Sequence, residues 1–278
     1  MYRLLALDID GTLVNSQNEL TDATRTAVLR AKDAGVEVVL ATGRRYSRAL
    51  PLVEPLRMHV PLVTASGALI KDPVDHRTLF RADFGPGVLA DLLAVLSSVG
   101  HDPVLYADTY ADGFDYYCRR IDVEDPALDE FFTVNAGCER VYPELLARPP
   151  DGIFAGCAMG TREAMLALER ELERRLPGRL YAHVLRSPRY HKGFMCEIAP
   201  HGVSKWSGVL HLADERGIAA EEICAVGDDV NDIPMIRSAG LGVAMGNALE
   251  EVKAAADRIA PCHDSDGLVE VVNWVLEG

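Results

Sequence analysis

Two aspartates stand two positions apart in Asp8-Ile9-Asp10-Gly11-Thr12, directly after the apolar run Arg3–Leu7. Carboxylates that close repel each other unless they share a cation or a proton. Mg²⁺ resolves such a conflict, because it takes one or two carboxylates and keeps places for water and phosphate oxygens. A carboxylate can also attack phosphorus and form an acyl phosphate. A plain Asp-Gly turn accounts for this pentapeptide equally well. A second stretch, Thr42-Gly43-Arg44-Arg45, sets a hydroxyl beside a glycine N–H ahead of a helical pattern, an arrangement suited to an anion. An ordinary strand-to-helix turn capped by threonine is the plainer reading.

Lys205 opens a helical segment in Gly202-Val203-Ser204-Lys205. A cation there opposes the helix dipole, and a nearby anion removes the conflict; a solvated surface lysine accounts for it equally well. Gly227-Asp228-Asp229-Val230-Asn231-Asp232 puts three acids within five positions after an apolar strand, costly without a cation. Two other patterns carry no chemistry. The glycines of 240–246 lie across a predicted strand and miss dinucleotide-loop spacing, and the histidines have no paired metal-ligand spacing.

Positioning these groups requires a common scaffold, and the periodicity supplies one. Apolar strands at Arg3–Leu7, Val36–Ala41 and Val60–Ala65 alternate with helices at Thr21–Ala34 and Tyr46–Leu56. Strand–helix alternation of this kind predicts a parallel sheet with crossover helices, whose ligands sit beyond the carboxyl ends of the strands. Asp8, Asp10, Thr42 and Ser66 all follow strand ends. The pattern resumes with helix Ser204–Arg216, strand Ile223–Val226, helix Asp232–Ala239, strand Leu241–Ala244 and helix Leu268–Leu276. Between them, helices and aromatic or β-branched strands from about Asp83 to Arg186 predict an inserted α+β domain. The expected organisation is therefore a core of residues 1–82 and 187–278 interrupted by a domain of residues 83–186.

Composition narrows the partners. The 278 residues carry 28 basic and 42 acidic side chains, a formal charge of −14, and 49% are hydrophobic. That predicts a folded protein and disfavours nucleic acid and membrane surfaces, both polyanionic. No apolar run reaches the roughly 20 residues of a membrane span, and acids arrive at Asp8, so a cytoplasmic protein is expected. Six scattered cysteines without CxxC spacing predict reduced, mostly buried thiols.

Taken together and in order, Asp8-Ile-Asp-Gly-Thr-Leu, Ala41-Thr-Gly-Arg, Glu197-Ile-Ala-Pro-His-Gly-Val-Ser-Lys, Gly227-Asp-Asp-Val-Asn-Asp and Val243-Ala-Met-Gly-Asn-Ala make the chain resemble the haloacid dehalogenase superfamily. Within it, the chain is most similar to the Cof-type phosphatases with a large α/β cap. The resemblance implies a Rossmann-like core and an Mg²⁺-dependent phosphatase acting on a small phosphorylated metabolite, such as a sugar phosphate. It implies Asp8 as nucleophile, Asp10 as general acid and base, and Lys205 as the neutralising cation. Thr42, Gly43 and Asn231 become phosphate contacts. Arg45, just past the Thr-Gly-Arg turn, is a candidate contact to cap or substrate, with a solvated helix-start arginine as the plainer reading. Asp8, the Asp10 carbonyl and Asp228 would hold the metal, with Asp232 supporting either the metal or Lys205; Asp229 has no assigned role. The cap is expected to close over the site. A monomer or small homo-oligomer is expected. A phosphomutase using the same intermediate and a non-catalytic phosphometabolite sensor are the alternatives. Two departures stand out: Ser66 where many members have Asn, and Trp206 where many have Gly.

Overall fold

The computed structural model describes residues 1–56, 60–85, 87–186 and 190–277, and divides the chain into two compact units, Met1–Phe80 with Ser204–Gly278 and Arg81–Val203. The first unit begins with β1 (Leu4–Leu7), α1 (Asp22–Asp33), β2 (Glu37–Ala41), α2 (Tyr46–Val53), β3 (Leu62–Thr64), β4 (Leu69–Lys71) and β5 (Thr78–Arg81). The second contains α3 (Val88–Ser98), β6 (Val104–Ala107), β7 (Tyr116–Cys118), α4 (Pro126–Val134), β8 (Glu139–Val141), β9 (Ile153–Gly160), α5 (Arg162–Arg175), β10 (Leu180–Leu185) and β11 (Phe194–Pro200). The chain then returns to the first unit with α6 (Lys205–Glu215), β12 (Ile223–Gly227), α7 (Ile233–Ser238), β13 (Leu241–Ala244), α8 (Glu250–Lys253), β14 (Arg258–Ile259) and α9 (Leu268–Glu277).

The first unit is an α/β fold on an eight-stranded sheet ordered β14-β13-β12-β1-β2-β3-β4-β5. Its strands are parallel from β14 to β3, and β4 turns back antiparallel to β3. Every residue of β1 is buried, as expected of a central parallel strand covered on both faces. Leu4, Ala6, Val39, Ala41, Val63 and Ile223 of the sheet pack with Val209, Leu212 and Ala213 of α6 and Met235 of α7. Trp206 packs against this cluster, which gives the departure at that position a structural use. Register aligns the strand ends: Leu7 pairs with Leu40 on one side and Val226 on the other, so Asp8, Thr42 and Asp228 emerge at the same edge.

Helix ends follow local chemistry. Thr21 caps α1 by accepting the N–H of Thr24, and Ser204 with Ser207 forms a reciprocal capping box at α6. The hairpin of β4 and β5 was absent from the sequence-based expectation, because its short strands lack a long apolar run.

The second unit is an α+β layer built on a six-stranded sheet ordered β10-β11-β9-β6-β7-β8, antiparallel except where β7 meets β8. Leu92 and Leu96 of α3 and Met165, Leu168 and Leu172 of α5 bury against Leu105, Ala158, Leu180 and Ile198. The expected boundary between residues 186 and 187 differs from the fold. Ser187 lies outside the described residues, but β11 pairs with both β9 and β10, so the unit continues to Val203. Its mixed sequence Phe-Met-Cys-Glu-Ile-Ala-Pro hid a strand that central pairing stabilises.

All six cysteines are free; Cys118, Cys157, Cys196 and Cys224 are buried and Cys138 and Cys262 half-buried. Burial pushes the Cys118 thiol up to about 12. Among the described residues no helix is long and apolar enough to cross a membrane.

Candidate active site

The turn after β1 is made by its glycine. Gly11 has φ +74°, and a Cβ there would lie 2.2 Å from Oδ2 of Asp228. Only glycine lets the chain turn and lets that carboxylate approach the backbone. A comparable constraint operates at the end of β3. Gly67 has φ +105°, and a Cβ would lie 2.0 Å from the carbonyl oxygen of Ser204, where α6 begins. Its neighbours Ala65 and Ser66 also occupy the left-handed region, at φ 47° and 54°. Two non-glycine residues in that region store local strain where the strand ends meet.

Lys205 is the centre of the arrangement. Its Nζ donates to Oδ1 of Asp8 at 2.6 Å and to Oδ1 of Asp232 at 2.7 Å. All three side chains are buried, with Asp232 at 0% exposure. The helix-start conflict inferred from the sequence is thereby resolved by carboxylates of the protein itself. Burial pulls the Lys205 ammonium down, but Asp232 and Asp8 outweigh it and hold it above the ordinary lysine range. Asp8 is raised well above the carboxylate range. Burial is the main cause, opposed by Lys205 and reinforced by Asp232, Asp228 and Asp10.

Asp232 spends both oxygens. Oδ1 takes Lys205, and Oδ2 accepts the backbone N–H groups of Asp228 at 3.0 Å and Asp229 at 3.1 Å. Asp229 accepts the N–H of Val230, which makes it the cap of the short turn that follows. Asp228 is pushed up to about 7, by burial first and then by Asp232, against the opposing pull of Lys205. Among the described residues its buried Oδ1 has no hydrogen-bond partner, nor do the buried Oγ1 of Thr12 and Oδ1 of Asn231. Oxygen atoms of Asp8, Asp228 and Asp232 lie within 4.8 Å of one another. An all-oxygen cluster with an unsatisfied, crowded carboxylate fits a hard divalent cation such as Mg²⁺.

The second strand end joins the same group. Thr42 is fully buried, and its Oγ1 accepts the N–H of Arg44 at 3.1 Å, which leaves the hydroxyl proton to donate elsewhere. A Cβ on Gly43 would stand 3.7 Å from Nδ2 of Asn231 and 3.4 Å from Oγ of Ser66, so three loops converge beside this glycine. Asp10 is exposed and turns to Arg44, whose Nε donates to Oδ2 at 2.7 Å while one terminal nitrogen donates to Oδ1. The same guanidinium reaches Oδ1 of Asn18 at 2.6 Å.

Two residues in this geometry escaped sequence reasoning. Of the adjacent arginines the sequence points to Arg45, yet Arg44 meets Asp10 and Arg45 caps α2 by position. Asn247 donates from Nδ2 to the Gly11 carbonyl at 2.8 Å and to Oδ2 of Asp228 at 3.3 Å, and accepts the His263 N–H at 3.0 Å. It ties the first aspartate turn to the last acid loop. Both residues lay inside stretches already noted, Ala41-Thr-Gly-Arg and Val243-Ala-Met-Gly-Asn-Ala, and that membership was the available signal.

Residues 5–272 match the family model described as haloacid dehalogenase-like hydrolase. Phosphatase YwpJ of Bacillus subtilis (strain 168) is 27% identical, over 99% of this chain and 100% of that protein. Pyridoxal phosphate phosphatase YbhA of Escherichia coli (strain K12) is 28% identical, over 97% of each. Among solved structures, a haloacid dehalogenase-like hydrolase from Bacteroides thetaiotaomicron superposes with a TM-score of 0.79 at 29% identity, covering 99% of this chain and 100% of that one.

Proposed function

The chain belongs to the haloacid dehalogenase-like hydrolases, and from that premise we propose that it is a Mg²⁺-dependent phosphatase that hydrolyses small phosphomonoesters through an aspartyl phosphate on Asp8. One observation carries the reading: a buried lysine bridges Asp8 and Asp232 beside Asp228, whose Oδ1 has no partner among the described residues. Names of relatives supply the substrate class in outline, since a pyridoxal phosphate phosphatase acts on a small phosphate ester.

Lys205 holds Oδ1 of Asp8 and leaves Oδ2 to attack phosphorus. The Asp8–phosphorus bond forms as the bond to the leaving oxygen breaks, and Asp10, having taken a proton from solvent, passes it to that oxygen. Asp10 then takes a proton from water, whose oxygen bonds to phosphorus and releases Asp8. Such transfers depend mainly on position and charge stabilisation. Lys205 supplies charge at the nucleophile, and Arg44 fixes the direction of the Asp10 carboxylate. Thr42, the Gly43 N–H and Asn231 bind phosphate oxygens. Mg²⁺ bound by Asp8, Asp228 and the Asp10 carbonyl would supply further charge stabilisation at the phosphoryl group. Asp232 is a positioning residue in this scheme, because its oxygens are committed to Lys205 and to the acid loop. Arg45 remains a candidate contact to substrate.

The test is a panel of phosphorylated metabolites offered to the purified protein with and without Mg²⁺. Metal-dependent release of inorganic phosphate supports the reading. Formation of an isomeric sugar phosphate would make it a mutase, and binding without turnover a sensor.

A further inference from the structure

Beyond the acid cluster, the loop after β14 brings together three residues of a different chemistry. Cys262, His263 and Asp264 are consecutive, and a sulfur, a ring nitrogen and a carboxylate oxygen of the three lie within 4.8 Å of one another. Cys262 stands at the N-cap of the short turn His263–Ser265, and its thiol is free and half-buried.

Protonation of the ring follows from its partner. Nδ1 of His263 is 2.8 Å from the carbonyl oxygen of Val14. A carbonyl only accepts, so Nδ1 carries the hydrogen, and in the neutral ring Nε2 presents a bare lone pair. Asp264 is held in the same manner. Its Oδ1 accepts the N–H of Ser16 at 2.8 Å, and that bond keeps the carboxyl below the usual range. Oδ2 lies 3.7 Å from Nε2. Both atoms are acceptors, so a cation or a proton placed between them would satisfy both. A protonated histidine satisfies the charge, yet 3.7 Å is too long for a hydrogen bond, and the thiol is left without a use.

We propose that Cys262, His263 and Asp264 bind a borderline-soft divalent cation of the Zn²⁺ type, at a site separate from the Asp8–Asp228 cluster. Thiolate, imidazole and carboxylate are the three donor types Zn²⁺ takes in tetrahedral sites, with water able to complete the set. Mg²⁺ prefers oxygen and does not compete for sulfur and nitrogen. The outer bonds match those of metal sites, where the second ring nitrogen donates to a carbonyl and the ligating carboxylate is itself hydrogen-bonded. Binding expels the Cys262 thiol proton to solvent. A bound ion would join this loop to the segment Val14–Ser16, adding stability to the folded state by mass action.

Co²⁺ is the probe, titrated into the full chain under reducing conditions. One equivalent should develop a thiolate-to-cobalt charge-transfer band in the near ultraviolet and raise the melting temperature. Cys262→Ser should remove the band, and His263→Ala or Asp264→Asn should weaken Co²⁺ binding by about tenfold or more. Asp228→Asn should leave the band intact, which separates this site from the proposed catalytic one. Absence of a band in the parent protein, or its persistence in Cys262→Ser, would overturn the proposal. The serine variant changes a single atom, so it decides the matter even if the histidine variant fails to fold.

Discussion

Replacing Lys205 with methionine isolates the charge balance at the centre of the site. Methionine keeps the length and apolar stem of the side chain but removes the ammonium, leaving Asp8 and Asp232 facing each other in a buried space. Breaking a buried pair by removing one partner costs about 3–5 kcal/mol, mostly the cost of the charge left behind. The loss should depend on pH. With the lysine gone, Asp8 loses the charge that opposes its protonation, and protonation relieves the repulsion. Destabilisation should therefore be largest near pH 8 and smaller near pH 5. Trp206 and Trp274 are the chain's two tryptophans and both lie in the first unit, so their fluorescence follows that unit alone during urea unfolding in chelator. Asp232→Asn added to Lys205→Met should recover part of the loss at pH 8. A shift under about 1 kcal/mol at pH 8, or a larger loss at pH 5 than at pH 8, would refute the reasoning.

Other outcomes follow from the same geometry. Asp228 has its carboxyl raised from 3.8 to about 7, so the folded state holds a proton that the unfolded chain has lost between those values. Its contribution to stability is full below pH 4, falls as pH rises through about 7, and amounts to at most about 4 kcal/mol. Melting of the metal-free protein at pH 5 and pH 8 should show this decline, and Asp228→Asn should flatten it. Asn247→Ala removes the donor that holds Oδ2 of Asp228, so Mg²⁺ affinity measured by calorimetry should drop about tenfold or more. Arg44→Ala frees the Asp10 carboxylate and should lower kcat by about 100-fold, a change that phosphate-release kinetics would reveal. Ser66→Asn places a residue that tolerates the left-handed region at φ 54°, and should raise stability by up to about 1 kcal/mol in urea unfolding.

How far the sequence reached can be traced through particular residues. The strand-end rule gathered Asp8, Thr42 and Asp228 from distant segments, because parallel register aligns strands whose apolar runs stop at the same edge. Lys205 was visible through its conflict with the helix dipole. The choice between Arg44 and Arg45 was not visible, since side-chain alternation ends where the strand gives way to a turn. Asn247 was hidden for another reason: an uncharged amide raises no electrostatic conflict in a one-dimensional reading. The strand β11 escaped because its sequence carries no clear period, and pairing on both sides supplies what local preference lacks.

The most direct test of the account is phosphate release from p-nitrophenyl phosphate by the parent protein and by Asp8→Asn, each with Mg²⁺ and with chelator. The substitution preserves the shape of the side chain and removes the nucleophilic charge. Mg²⁺-dependent release is expected from the parent protein and none from Asp8→Asn, with the circular dichroism spectrum unchanged. Full activity in the Asp8→Asn protein would contradict it.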